Sequence, residues 1–306
     1  MTKKVRVYAP ATVANVACGF DILGFALDSP GDELTATLTD TPGVVIEKIE
    51  GAILPYDPIK NSAGAAAEAL LGYLKAAQGV SLTLHKKMPL ESGLGSSAAS
   101  AAAAVFAVNK LFNSPLSTKE LIAFAMEGER AACGSAHADN VAPALLGGFV
   151  LVRSYSPLDV QQIPCFVPLF CAVLHPHIAI STGMARELLT EKITLKQHVE
   201  QSGNIAGLVL GLTQGNVELI RNCLQDVIVE PLRAPLISNF YFIKAAALEA
   251  GALGCSLSGS GPSLFALATS LEDAQRVCEA MKNACKDLSC DGYVSRINQQ
   301  GVRELP

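Results

Sequence analysis

Pro89-Leu-Glu-Ser-Gly-Leu-Gly-Ser-Ser-Ala-Ala-Ser100 runs straight into an alanine-rich stretch of strong helix formers that ends near Phe112. A glycine and serine loop therefore feeds a helix amino terminus. Such a terminus offers unpaired N–H groups and the positive end of the macrodipole, which together receive a polyanion such as a triphosphate. Gly93 and Gly95 carry no Cβ and tolerate positive φ, so the backbone can approach phosphates closely. Ser96 and Ser97 add hydroxyls that bind a phosphate oxygen or a magnesium ion. The same residues also make a tight turn that packs a helix onto a sheet, and the loop alone leaves both readings open.

Gly93-Leu-Gly-Ser-Ser-Ala98 also matches the loose dinucleotide fingerprint. Against a dehydrogenase, the loop lies far from the first strand, Met88 to Ser92 separate it from the strand before it, and no acidic residue follows about 20 residues on. Gly-x-x-x-x-Gly-Lys-Ser/Thr is absent, which excludes a P-loop; the protein-kinase pattern does not fit either.

The positioning elements follow from periodicity. Val5, Val7 and Ala9 alternate with polar neighbours and Leu34 to Leu38 alternates again, so the chain opens with strands in a hairpin-like start. Asn61 to Gln78 reads as a helix and Ser81 to His85 as a strand. Ser117 with Glu120 forms a capping box before a helix that carries Glu129. Ala144 to Tyr155 reads as a strand with Gly147-Gly148 near its start. The proline-rich stretch 156–168 breaks the pattern and marks a boundary between domains 1–160 and 161–306.

Beyond it come a strand at Phe170 to Leu174 and helices near Ser181 to Thr190, Leu195 to Leu212, Val217 to Val227 and Leu236 to Ala250. A strand-turn-strand over Ala252 to Ala268 carries Ser258-Gly-Ser-Gly-Pro-Ser263. A helix from Leu271 to Asp287 and a strand from Tyr293 to Ile297 follow. Strands and helices in both halves predict two α+β domains.

The chain of 306 residues is 50% hydrophobic and 17% charged, enough apolar material for a large core. A net charge of -5 without basic runs argues against nucleic acid and membrane surfaces as partners. The basic N-terminus leads into strand-like alternation, so it is no signal peptide, and no segment reaches the length of a membrane span. A cytoplasmic protein is expected. Nine cysteines, most scattered singly in apolar stretches, read as reduced core thiols. His175 and His177 share one strand face but lack a third ligand nearby, and Cys285 with Cys290 lacks a second pair, so neither predicts a zinc site.

Three segments in order resemble the motifs of the GHMP kinases: Ala9-Pro-Ala-Thr-Val-Ala-Asn-Val-Ala-Cys-Gly-Phe-Asp21, the loop Pro89 to Ser100, and Ser256-Leu-Ser-Gly-Ser-Gly-Pro-Ser263. Ala14 to Asp21, and Ala136-His-Ala-Asp-Asn-Val-Ala-Pro-Ala144 with Gly147-Gly148 beyond it, are most similar to the branch that acts on homoserine. The resemblance implies an α+β protein of two domains, an N-terminal one like ribosomal protein S5 domain 2 and a ferredoxin-like C-terminal one, with the active site between them. It implies ATP and Mg2+ as cofactors, L-homoserine as acceptor, a role in threonine biosynthesis and assembly as a homodimer.

By the same resemblance, ATP lies along Pro89, Leu90, Glu91, Ser92, Gly93, Leu94, Gly95, Ser96, Ser97, Ala98 and Ala99, with Asn61 on the adenine side. Ser97 and Glu129 are the expected magnesium ligands. Gly259, Ser260 and Gly261 are expected either to close over the nucleotide or to brace the Gly93 loop. An ordinary hairpin turn is the alternative reading of that segment. Homoserine is a zwitterion with a hydroxyl. Arg186 and Arg233 suit its carboxylate, Asp21 its ammonium, and Asn15 and His137 its remaining hydrogen bonds. Taken singly, each of these residues also has a structural reading, as a turn cap or a surface charge.

Sister enzymes place an aspartate base where this chain has Asn140, which takes no proton at neutral pH; Asp139 is adjacent. The expectation is phosphoryl transfer without a side-chain base. A mevalonate-type or sugar kinase on the same fold is the nearer alternative, although Arg186, Arg233 and Asp21 favour an amino acid. A non-catalytic nucleotide-binding regulator is the other.

Overall fold

The computed structural model describes residues 3–134, 136–190, 192–286 and 288–306. Strand β1 (Lys4–Ala14) pairs antiparallel with the long strand β2 (Leu23–Thr39), from Lys4 opposite Thr37 to Ala14 opposite Gly24. Val5 and Val7 are buried while Lys4 and Arg6 are exposed, the alternation of a half-covered strand; beyond Ala9 both faces are buried. Strand β3 (Val44–Glu50) and β4 (Gly79–His85) run parallel, joined through helix α1 (Ser62–Leu74).

Helix α2 (Ser96–Leu111) follows the glycine loop, and all its residues except Ser97, Phe106 and Lys110 are buried. Alanine is what allows this: α2 packs against α1, α3 (Leu121–Cys133), α4 (Ala138–Leu146) and the sheet at once. On α3, a Cβ added to Gly128 would stand 2.7 Å from Ala101 Cβ of α2. The Ser117–Glu120 capping bonds are made, with Ser117 N and Oγ donating to Glu120 Oε2 at 2.8 and 2.7 Å.

Strands β5 (Phe149–Tyr155) and β6 (Leu158–Ile163) extend the first sheet from the early half of β2. The second sheet holds β7 (Phe170–Pro176), β8 (Gly254–Leu257), β9 (Leu264–Ala268) and β10 (Cys290–Arg296) in the antiparallel order β10-β7-β9-β8, the ferredoxin-like arrangement. Its helices are α5 (Thr182–Glu187), α6 (Leu195–Gln214), α7 (Val217–Cys223), α8 (Glu230–Arg233), α9 (Phe240–Glu249) and α10 (Leu271–Cys285). Phe25 of β2 ties the sheets together, its ring 4.9 Å from that of Phe149 and 5.8 Å from that of Phe265 on β9.

Several boundaries differ from the sequence reading. The strand expected from Ala144 is still helix there: α4 runs through Pro143 to Leu146, and the strand begins at Phe149. Pro143 reads as a breaker, yet it costs only the helical bond to the Asp139 carbonyl. That carbonyl instead abuts Gly24 of β2, where any side chain would collide with it. Helix α1 stops at Leu74 because Lys75 turns left-handed, φ 49°. The helices expected over Val217 to Val227 and Leu236 to Ala250 are shorter, as α7 and α9. Between 156 and 168 lies β6, part of the first sheet, and the last strand β11 (Arg303–Leu305) returns to pair with β1, so the first sheet draws on residues from both sides of position 160.

Candidate active site

The turn between β1 and β2 presents the first group of side chains. Asn15, Val16, Ala17 and Asp21 all take positive φ, from 44° to 71°, an expensive backbone for non-glycine residues and one that clusters at functional sites. Asn15 holds the turn together. Its Oδ1 accepts the Asp21 N–H at 3.0 Å and its Nδ2 donates to the Gly259 carbonyl at 2.9 Å, so it joins the first motif to the third.

The third motif braces the glycine loop, one of the two roles expected of it. Ser258 Oγ donates to the Gly93 carbonyl at 2.7 Å and Ser263 N to the Ser92 carbonyl at 3.1 Å. A side chain on Gly93 (φ 79°) would strike the Ser258 carbonyl, and one on Gly95 (φ 68°) the Thr12 hydroxyl. Both glycines are thus required by protein packing and positive φ, the tight-turn reading that the sequence left open beside ligand clearance. Gly95 is also the N-cap of α2 and offers no side-chain cap, which leaves the first amides of that helix without a capping partner.

Sequence reasoning missed the clamp beneath this loop. Asp32 Oδ1 accepts Lys87 N and Met88 N at 2.7 and 3.0 Å where the chain enters the loop. Its Oδ2 pairs with Lys86 Nζ, which donates to Ser96 O at 2.9 Å and Ser100 Oγ at 2.7 Å where the chain leaves it. Both side chains are 2% exposed, and burial pushes the Lys86 amine below its ordinary range while Asp32 opposes that shift. The sequence signal was slight, since Asp32 lies 54 positions before Lys86 and no local pattern links them.

Ser97 and Glu129 meet where α2 crosses α3. Ser97 Oγ and Glu129 Oε1 are buried without a hydrogen bond of normal geometry. Glu129 is 6% exposed, and burial raises its pKa against the opposing pull of Ser97 and Lys86. Two hard oxygen donors without partners suit a magnesium ion. Asn61 caps α1 through Ala63 N at 3.0 Å and Gly64 N at 3.4 Å and donates to Pro55 O at 2.9 Å.

On the other side, Arg186 of α5 reaches across from the C-terminal domain. Its Nη2 donates to Asp21 at 2.8 and 3.1 Å and to His137 Nε2 at 3.1 Å. That leaves His137 as a neutral ring with its Nδ1 3.7 Å from Asp21. Burial lowers its pKa, Asp21 opposes this, and Arg186 and Arg233 add to the fall. Arg233, at the end of α8, is 3% exposed and donates from Nε to Ala185 O and from Nη1 to Gly259 O, both at 3.1 Å. The Tyr155 hydroxyl, also missed from sequence, donates to Asp21 O at 2.8 Å and accepts the Ala138 N–H at 3.3 Å.

At the start of α4, Asn140 Oδ1 accepts the Thr12 hydroxyl at 2.7 Å. Asp139 is 2% exposed and its Oδ1 has no partner; burial first, then the charges of Asp21 and Glu129, push its pKa up to about 8. A carboxyl raised to about 8 is mostly protonated at neutral pH. His175 and His177 do share a strand face, with ring centroids 5.7 Å apart, but they bond Ser263, Asp291 and Ser289. Among the described residues no cluster of three or more histidine, cysteine or acidic groups is arranged for a metal.

The family model described as GHMP kinases N terminal domain matches residues 61–148, and the GHMP kinases C terminal model matches residues 208–287. Homoserine kinase of Chloroherpeton thalassium is 48% identical, covering 99% of this chain and 100% of its own. Homoserine kinase of Chlorobium phaeovibrioides is 50% identical, with coverage of 99% and 100%. The crystal structure of homoserine kinase from Cytophaga hutchinsonii superposes with a TM-score of 0.96 at 52% identity, covering 100% of this chain and 98% of that one. Mevalonate kinase of L. major, at 17% identity and a TM-score of 0.73, shares the fold over 98% of this chain and 97% of its own. Near-half identity from end to end, on a fold whose three glycine-containing segments close on one another as above, places the chain in the homoserine kinase branch of the GHMP kinase family.

Proposed function

We propose that the cleft between the two sheets transfers the γ-phosphoryl group of ATP to the side-chain hydroxyl of L-homoserine. The observation that carries this reading is the convergence of Asp21, His137, Arg186 and Arg233, drawn from both domains, beside the loop that opens α2. A carboxylate, two guanidinium groups and a neutral imidazole complement an ammonium, a carboxylate and a hydroxyl. Mevalonate lacks the ammonium and galactose lacks both charges, so neither uses the whole set.

The triphosphate is received by the amides of Ser96, Ser97 and Ala98 at the head of α2, held in place by the Lys86–Asp32 clamp and the third motif. Ser97 and Glu129 would hold a magnesium ion, which when bound neutralises charge on the phosphates. The transition state is loose, so fixed positions and charges carry the rate. The homoserine oxygen bonds to γ-phosphorus as the bond to the bridging oxygen of ADP breaks, and its proton passes to the transferred phosphoryl group or to water. Neither Asn140 nor the protonated Asp139 accepts it.

A coupled ADP-release assay across L-homoserine, mevalonate and galactose tests the reading. Turnover confined to homoserine supports it. ATP hydrolysis that no acceptor accelerates would restore the regulator alternative. We further propose a cytoplasmic homodimer. Two-fold dimers are the commonest assembly, α6 leaves Leu195 and Val199 exposed, and the eight cysteines that are described are all free. Sedimentation equilibrium checks the dimer.

A further inference from the structure

Arg186 and Arg233 belong to different helices, α5 and α8, yet both guanidinium groups lie over one aromatic ring. Arg233 Cζ is 5.2 Å and Arg186 Cζ 5.6 Å from the centroid of Phe20. Two cations brought together before a ligand arrives repel one another, and each depresses the protonation of its neighbours; Arg233 is held below its ordinary pKa first by burial and also by Arg186. An electron-rich ring face attracts both groups without adding a net charge. Phe20 is followed at once by Asp21, the carboxylate that pairs with Arg186, so one turn supplies both the ring and the counter-charge. The left-handed φ of 58° at Asp21 and the Asn15 bond to its N–H fix where that turn points.

The remaining donors show what the arrangement leaves available. Arg233 uses Nε on Ala185 O and Nη1 on Gly259 O, while Arg186 uses Nη2 on Asp21 and His137. Among the described residues, Nη2 of Arg233 and Nε and Nη1 of Arg186 make no hydrogen bond. We infer that Phe20 is a specificity-determining positioning residue: its ring gathers the two arginines so that their spare N–H donors converge on the carboxylate of the acceptor. The inference rests on the homoserine reading above and gives the carboxylate, the feature that separates homoserine from a plain amino alcohol, a structural cause for its recognition.

The test compares L-homoserine with 3-aminopropan-1-ol, which keeps the amine and hydroxyl and lacks the carboxylate. The readout is the ratio of kcat/KM values in the wild type, Phe20→Leu, Phe20→Tyr and Arg233→Met. Phe20→Leu is expected to raise the homoserine KM at least about tenfold, or about 1.4 kcal/mol, with kcat and the ATP KM nearly unchanged. The amino alcohol should be nearly unaffected, so the ratio falls. Phe20→Tyr, which keeps the ring, should restore the ratio. If Phe20→Leu slows both acceptors equally, or Tyr fails to rescue, Phe20 is only packing and the inference is overturned. Arg233→Met separates the two levels: a collapsed ratio there with an intact ratio in Phe20→Leu sinks the role of the ring alone, while an intact ratio in both sinks the assignment of the carboxylate to the arginines.

Discussion

Arg186 Nη2 donates to both carboxylate oxygens of Asp21, so two groups assigned to the two opposite charges of the substrate are joined to each other before it arrives. The side chains are 39% and 29% exposed, and a pair so open to water contributes little to stability. It is a pair that a zwitterion can share or replace without a large penalty.

Removing one member should therefore show in binding and hardly in folding. Asp21→Asn is expected to raise the homoserine KM by about ten- to a hundredfold, the range for hydrogen bonds to charged groups, and to shift the melting temperature little. Arg233→Leu should raise the homoserine KM far more than the ATP KM, and equal rises in both would remove Arg233 from the acceptor site. Steady-state kinetics with each substrate varied in turn measures both.

Asp139→Asn should leave kcat within a few-fold of wild type at pH 7, because the native carboxyl already holds its proton. A fall of several orders of magnitude with the fold intact would identify Asp139 as the base. Its pKa is raised to about 8, so the native state binds the extra proton between the unfolded value and about 8. The stability this contributes is complete below the unfolded pKa and is lost as pH rises through about 8. Denaturant unfolding of the wild type and Asp139→Asn should diverge progressively as pH rises from the unfolded carboxyl value to about 8, with the variant the more stable and the gap constant above that.

His137 runs the other way. Its pKa is lowered, chiefly by burial, so the unfolded chain binds the proton more readily. The stability contributed by the neutral ring is full above about 6.5 and is lost as pH falls through the depressed native value. Protonation would also end its acceptance of the Arg186 N–H and set a third cation beside the two arginines. The homoserine KM should rise on the acid side while the ATP KM stays flat, and His137→Gln should flatten the homoserine profile.

Glu129→Gln removes a buried charge that Lys86 opposes only in part. The variant should fold as well as the wild type or better, since uncompensated buried charge is costly. It should also need at least about tenfold more Mg2+ for half-maximal rate, the second measurement being a metal titration at saturating ATP. An unchanged metal requirement would remove Glu129 from the proposed magnesium site.

Local chemistry was readable in the residues themselves. Gly95 before an alanine-rich run specifies a helix start, alternation specifies β1 and β2, and Ser117 with Glu120 specifies a cap, because each depends on neighbours within a few positions. Asn15, Asp21 and His137, three of the residues proposed for the acceptor, lie in the short segments Ala14 to Asp21 and Ala136 to Ala144 that carry the resemblance. What the chain could not show locally was partnership across distance. Asp32 meets Lys86 from 54 positions away, Ser258 meets Gly93 from 165, and Phe20 finds Arg186 and Arg233 on two separate helices. Helix α4 carries Pro143 within it, and Gly24 leaves the space in which the Asp139 carbonyl packs against β2. Such pairings are settled when sheets and helices close on one another, since burial then decides which charges and polar groups need a partner.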